Sequence, residues 1–224
     1  MLYSEKVKLF AKQHPCEEIT VDGARYRYVL CGKAGARTLV FLNGGMVAQI
    51  YVQKYPGEAG GLILVSTGGM DEATLRTLKQ KYRLAPLMLW YMKHCNYEKL
   101  KPKLISASLR HIRDETPEEI AYAKDMFETI FRDFTQEKDV HISNLLADLM
   151  RQRLVTAADF AALAGRILLI LPNQDFFSEK MQKDLIALMH DPKIAYVSGG
   201  HLSTVLKTQD YVRVIREFLT ETFA

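Results

Sequence analysis

Apolar positions fall into two rhythms along the chain. Near the amino terminus Val7, Phe10 and Ala11 recur at helical spacing behind Ser4, a good N-cap, and Pro15 limits the segment. Ile19 and Val21 then alternate with polar neighbours, Asp22-Gly23 supplies a two-residue turn, and Tyr26, Tyr28 and Leu30 alternate again, which predicts a β-hairpin. Residues 38–42 are different. They form a continuous apolar run, as in a strand buried on both faces, and lead through Asn43-Gly44-Gly45 into a helix over 46–54. Three more runs of this kind occupy 61–66, 166–171 and 193–198. They end at Thr67-Gly68-Gly69, at Pro172-Asn173-Gln174-Asp175 and at Gly199-Gly200-His201. Helical patterns occupy 177–189 and 208–219, where Tyr211, Ile215 and Phe218 share a stripe.

Strands alternating with helices predict an α/β protein with a mainly parallel sheet covered on both faces. Between residues 71 and 164 the pattern turns helical throughout, with segments near 72–82, 97–110, 117–134 and 139–152, and Thr116-Pro117-Glu118-Glu119 as a helix start. The expected organisation is a core of 1–70 and 165–224 with a helical cap, 71–164, inserted between two strands. The aromatic and Met-rich stretch 86–97 reads as core of that cap.

Composition narrows the field. At 224 residues with 48% hydrophobic and 25% charged positions, the chain has room for one core plus a cap. The net charge of +4 is spread out, and the basic stretch 99–113 reads as a solvated helix face, so no nucleic-acid partner is expected. Cys16, Cys31 and Cys95 have no metal-ligand spacing, and the odd count fits reduced thiols in a cytoplasmic protein. The first fifteen residues lack a secretory apolar region, and no run approaches the ~20 residues of a membrane span, so no membrane partner is expected either. His14, His94, His111, His141 and His190 show no ligand pattern; neither a metal nor a cofactor is expected.

In an open parallel sheet, function gathers at the carboxyl ends of the strands. There Asp175 follows one strand and His201 the next, the last two members of a Ser…Asp…His order. The carboxylate would fix the imidazole's tautomer while the imidazole shuttles a proton. On these residues the chain resembles the α/β-hydrolase superfamily over nearly its whole length. The hairpin resembles the family's first two strands, Leu39-Val40-Phe41-Leu42-Asn43-Gly44-Gly45 its third strand and oxyanion loop, and residues 47–56 the helix after the nucleophile. Leu62-Ile63-Leu64-Val65-Ser66 is similar to the sixth strand, and Ser198-Gly199-Gly200-His201 to the histidine loop. The resemblance implies a sheet reduced to about six strands, a serine-hydrolase lineage acting on ester or amide-like bonds, and a small-molecule substrate or ligand.

The departure from the family lies at the nucleophile. One Gly44-Gly45-Met46 serves as both the end of the oxyanion loop and the start of the nucleophile helix, and laying G-x-S-x-G-G over 40–45 puts Leu42 at the serine. Asn43, Gly44 and Gly45 then read as an oxyanion-loop remnant or as a tight turn. Ser66 alone has strand–turn surroundings, but Leu64 stands where the elbow needs a small residue. Three accounts fit this pattern: an internally shortened, inactive pseudoenzyme that binds or packs; a hydrolase whose central segment is missing from this sequence; or a rebuilt catalyst using Ser66. The non-catalytic alternative is a small-molecule-binding or interaction protein. Lost central strands would leave exposed edges and favour a homo-oligomer.

Overall fold

The computed structural model describes residues 1–21, 24–29, 45–109, 112 and 116–223. In chain order its elements are α1 (Tyr3–Gln13), β1 (Glu17–Val21), β2 (Ala24–Tyr28), α2 (Gly45–Lys54), β3 (Leu62–Val65), α3 (Glu72–Lys81), α4 (Ala85–His94), α5 (Tyr97–Leu109), α6 (Pro117–Arg132) and α7 (Gln136–Leu149). A 3-10 helix (Ala157–Leu163) precedes β4 (Ile167–Pro172), α8 (Glu179–Leu188), β5 (Lys193–Val197), α9 (Ser203–Leu206) and α10 (Thr208–Phe223). The strand expected at 38–42, the Asp22-Gly23 turn, Cys31, Leu42, Asn43 and Gly44 lie outside the described residues.

The expected parallel sheet is present, in the order β3-β4-β5. Val65 pairs with Ile170 on one side of β4, and Pro172 pairs with Val197 on the other. All six residues of β4 are buried, as a strand with apolar side chains on both faces must be. Its side chains alternate between two cores. Ile167, Leu169 and Leu171 pack with Ile50 and Val52 of α2, Leu75 and Leu78 of α3, Phe160 and Leu163 of the 3-10 helix, and Met181 and Leu185 of α8. Leu168 and Ile170 pack with Tyr211, Val214 and Phe218 of α10. Each such Leu or Ile contributes about 1.5–3 kcal/mol by leaving water. Among the described residues β1 and β2 form a separate antiparallel hairpin, with Glu17 opposite Tyr28.

Local chemistry shifts three expectations. Ser4 does not cap α1, because the N-cap is Leu2. The Ser4 amide and hydroxyl instead donate to Asp125 of α6, at 2.7 and 3.0 Å, so a carboxylate from a neighbouring helix serves a first-turn amide that a cap would otherwise satisfy. Helix α7 starts at Gln136, three residues earlier than its periodicity predicts, because the Thr135 hydroxyl accepts the Lys138 amide. The stretch 86–97 is core only in part: Met92 and Tyr97 are buried and cluster with Leu100, whereas Leu87, Met88, Trp90 and Tyr91 are exposed. The reason is geometric. The α4 side chains are apolar nearly all round, whereas its packing against α7 covers one side. The capping box predicted at Thr116 does form, with the Glu119 carboxylate accepting the Thr116 amide at 2.8 Å. Among the described residues no helix is long and apolar enough to cross a membrane.

One polar side chain sits deep in the core and fixes the loop that leaves β3. Gln49 of α2 is fully buried, donates through Nε2 to the Gly68 carbonyl at 2.9 Å, and accepts the Met70 amide at 3.0 Å. Gln49→Leu strands a buried carbonyl and a buried amide, and should cost about 2–4 kcal/mol in urea denaturation. A cost within experimental error would show that the loop is held by something else.

Candidate functional site

The ends of β4 and β5 are fastened together by their loops. The Asn173 amide donates to the Val197 carbonyl and the Gln174 amide to the Gly199 carbonyl, both at 3.0 Å. The Asn173 side chain closes the arrangement, its Oδ1 accepting the Gly199 amide at 3.0 Å. Gly199 has φ of +102°, a left-handed conformation in which a side chain would be strained. Because the loops leave adjacent parallel strands at the same edge, their tips must meet. His201 Nδ1 lies 2.8 Å from Asp175 Oδ1. The same oxygen accepts the Phe176 amide at 2.6 Å. The Asp175 side chain is 1% exposed and that of His201 54%. A carboxylate can only accept, so the neutral imidazole carries its proton on Nδ1 and presents the Nε2 lone pair outward.

A second layer holds each half of the pair. Gln182 of α8 donates to the Pro172 carbonyl at 3.0 Å and the Phe177 carbonyl at 3.4 Å, bracing the acid loop from below. The rings of Phe176 and Phe177 stand 6.4 and 6.0 Å from the imidazole. Under the histidine loop, Ser203 is buried and its hydroxyl meets both the Gly200 carbonyl and the Tyr211 hydroxyl at 2.6 Å. Burial raises the Tyr211 phenol above its ordinary value, against the pull of the Ser203 and Ser66 hydroxyls.

The remaining expected site residues have structural surroundings of their own. Ser66 closes β3, its amide donating to the Ile170 carbonyl at 3.1 Å. It is buried with φ of +45°, and its Oγ has no hydrogen-bond partner within 3.5 Å although it lies on the Tyr211 side. That backbone conformation costs a serine roughly 1–2 kcal/mol. Gly45 is the first residue of α2 and lies against Thr67, whose side chain would be 2.6 Å from any added Cβ; close packing accounts for this glycine. Of the two serines flanking His201, Ser203 is occupied as described and the Ser198 hydroxyl takes Lys207 Nζ at 3.4 Å. Among the described residues no hydroxyl or thiol hydrogen-bonds His201 Nε2.

Asn173, Gln182, Tyr211 and the two phenylalanines are not expected site residues from the sequence, yet they surround the pair. Signals for some of them were present. An asparagine directly after a buried strand favours a side-chain-to-backbone turn, and a tyrosine on an apolar helical stripe needs a partner for its hydroxyl.

No family model matches the sequence, and no characterised protein matches it. Solved structures do share its fold. A protein assigned to the non-heme bromoperoxidases, BpoC of Mycobacterium tuberculosis, superposes with a TM-score of 0.58 at 14% identity over 81% of this chain. A hydrolase from Pseudomonas aeruginosa does so with a TM-score of 0.54 at 16% identity over 79%. The chain spans 65% and 61% of those proteins' lengths. The likeness is one of fold: this is an α/β-hydrolase-like architecture, with a parallel sheet that has three strands among the described residues.

The brace beneath His201 can be tested through Tyr211. Tyr211→Phe removes the partner of the Ser203 hydroxyl and should cost about 1 kcal/mol. The folded protein also keeps the Tyr211 proton to higher pH than the unfolded chain does. Wild-type stability therefore falls as pH rises past about 10, and Tyr211→Phe should lose less between about pH 8 and pH 11. Urea melts giving the same pH dependence for both proteins would contradict the buried phenol.

Proposed function

We propose that this chain is of serine-hydrolase lineage, acting on ester or amide-like bonds in its ancestry, and that it retains the acid–base half of that machinery without the nucleophile. The observation that carries this reading is the Asp175–His201 hydrogen bond at 2.8 Å, with Nε2 met by no hydroxyl or thiol among the described residues. Asp175 orients the imidazole and His201 accepts a proton at Nε2. Covalent acyl transfer also needs an oxygen or sulfur held against that nitrogen. Ser66, buried and directed to the Tyr211 side, does not supply one, and Leu42 has none to give. A triad without its nucleophile keeps only ~10³–10⁴-fold acceleration over water, from positioning and oxyanion donors.

The helical block 71–164 is proposed as the cap of this site. Supporting this, α6 packs against α9 beside the histidine loop, and Tyr82 stacks toward Phe176 of the acid loop, ring centroids 6.3 Å apart. Leu75, Leu78, Phe160 and Leu163 belong to the sheet's core, so the covering part of the block is α4 to α7. A small-molecule substrate or ligand would lie between it and the exposed edge of His201.

Treatment with a fluorophosphonate serine probe tests the proposal. The purified chain should stay unlabelled and hydrolyse simple esters little faster than a His201→Ala variant. Labelling that disappears in Ser66→Ala would refute the proposal and make Ser66 the nucleophile; labelling that survives would refute it in favour of another serine.

A further inference from the structure

Helix α4 is the most apolar exposed element among the described residues. Leu84, which precedes it, and Leu87 are each 60% exposed, and Trp90 is 58% exposed. Met88 and Tyr91 add to the same surface. Single exposed apolar residues need no explanation, but several on ten residues of helix do. The patch continues toward the site: Tyr82 is exposed and contacts Phe176, which is also exposed and neighbours His201.

The charges carried by this segment itself are all of one sign, whereas α7 beside it carries Glu137, Asp139 and Asp148. From residue 73 to residue 97 the chain contains no Asp or Glu, while Lys79, Lys81 and Arg83 lead into α4 and Lys93 and His94 end it. Lys79, Arg83 and Lys93 are exposed and have no carboxylate partner among the described residues, and Lys81 sits over the Phe176 ring with its Nζ 4.4 Å from the centroid. On α7, which packs against α4, Asp139 takes the Tyr97 hydroxyl at 2.8 Å and Asp148 takes Arg151 at 3.0 Å. The surface is thus an apolar ridge with an aromatic middle and cationic ends.

We propose that α4 docks on a bilayer surface rich in anionic lipid, lying in the interface with Leu87, Met88 and Trp90 among the upper acyl chains. An interfacial helix sinks about 5–10 Å, and buried apolar area and cation–headgroup attraction act together. Lysine and arginine stems bracketing the ridge can keep their charged ends at headgroup level. A second copy of the chain is the other occupant to weigh, and charge argues against it. A two-fold contact places the same patch against itself and would press one cationic rim on another. Docking on a surface differs from spanning it, so the lack of a span-length helix does not bear on it.

Trp90 is the chain's single tryptophan, so its emission reports this helix alone. The full chain is mixed with vesicles of phosphatidylcholine, with and without phosphatidylserine. The expected result is a blue shift and quenching by brominated acyl chains on the phosphatidylserine vesicles, weakened by high salt. The triple variant Lys79→Glu/Arg83→Glu/Lys93→Glu, checked for folding by circular dichroism, should lose this binding. Leu87→Ser should reduce it at least about tenfold. Unchanged emission with phosphatidylserine, or equal binding to both vesicle types, would overturn the proposal. A blue shift that grows with protein concentration and needs no lipid would also overturn it, assigning the face to a second copy.

Discussion

Everything at the site depends on the pairing of β4 with a parallel strand on each side. A strand with apolar side chains on both faces is stable only when both faces are covered and both edges are hydrogen-bonded. β4 meets that condition, with α2, α3 and α8 on one face, α10 on the other, β3 along one edge and β5 along the other. Once Pro172 is in register with Val197, the loops after β4 and β5 begin at the same height. Two backbone bonds and the Asn173 side chain extend the pairing beyond the strands. Asp175 and His201 meet because the sheet delivers them to one edge.

That arrangement explains how the Asp175–His201 pair is held by the fold itself. The aspartate is buried and shared between an imidazole and a backbone amide, and the histidine loop rests on Ser203 and Tyr211. These contacts belong to the fold's own packing. The strained conformation of Ser66 also belongs to the packing. Gln49 grips the loop just beyond it, at Gly68 and Met70, so the chain must turn sharply where β3 ends. Strain alone therefore does not mark a nucleophile.

The strands β3, β4 and β5, the loops that carry Asp175 and His201, and the α/β class were legible because their signals are local: apolar runs of fixed length, followed by Gly, Asn and Asp at the carboxyl ends. Residues 166–171 read as a strand, and Ile167–Pro172 fold as one. The illegible features depend on partners. The apolarity of 86–97 reads as core throughout, yet which sides of α4 a neighbour covers is a tertiary fact: Met92 and Tyr97 are buried, while Leu87, Met88, Trp90 and Tyr91 are left exposed. Ser4 has the chemistry of an N-cap, but a carboxylate 121 residues away claims it. The supporting roles of Gln49, Gln182 and Tyr211 arise from loops that come together only when the sheet forms. Sequence pattern places the acid and the histidine; the contacts that fix them are long-range.

Nuclear magnetic resonance of protein selectively ¹⁵N-labelled at histidine tests the central claim most directly. If sheet register holds His201 against Asp175, the neutral imidazole carries its proton on Nδ1, giving a downfield Nδ1–H resonance and an unprotonated Nε2, and both features vanish in Asp175→Ala. A His201 that favours the Nε2–H tautomer, or a spectrum unchanged by Asp175→Ala, would contradict the account.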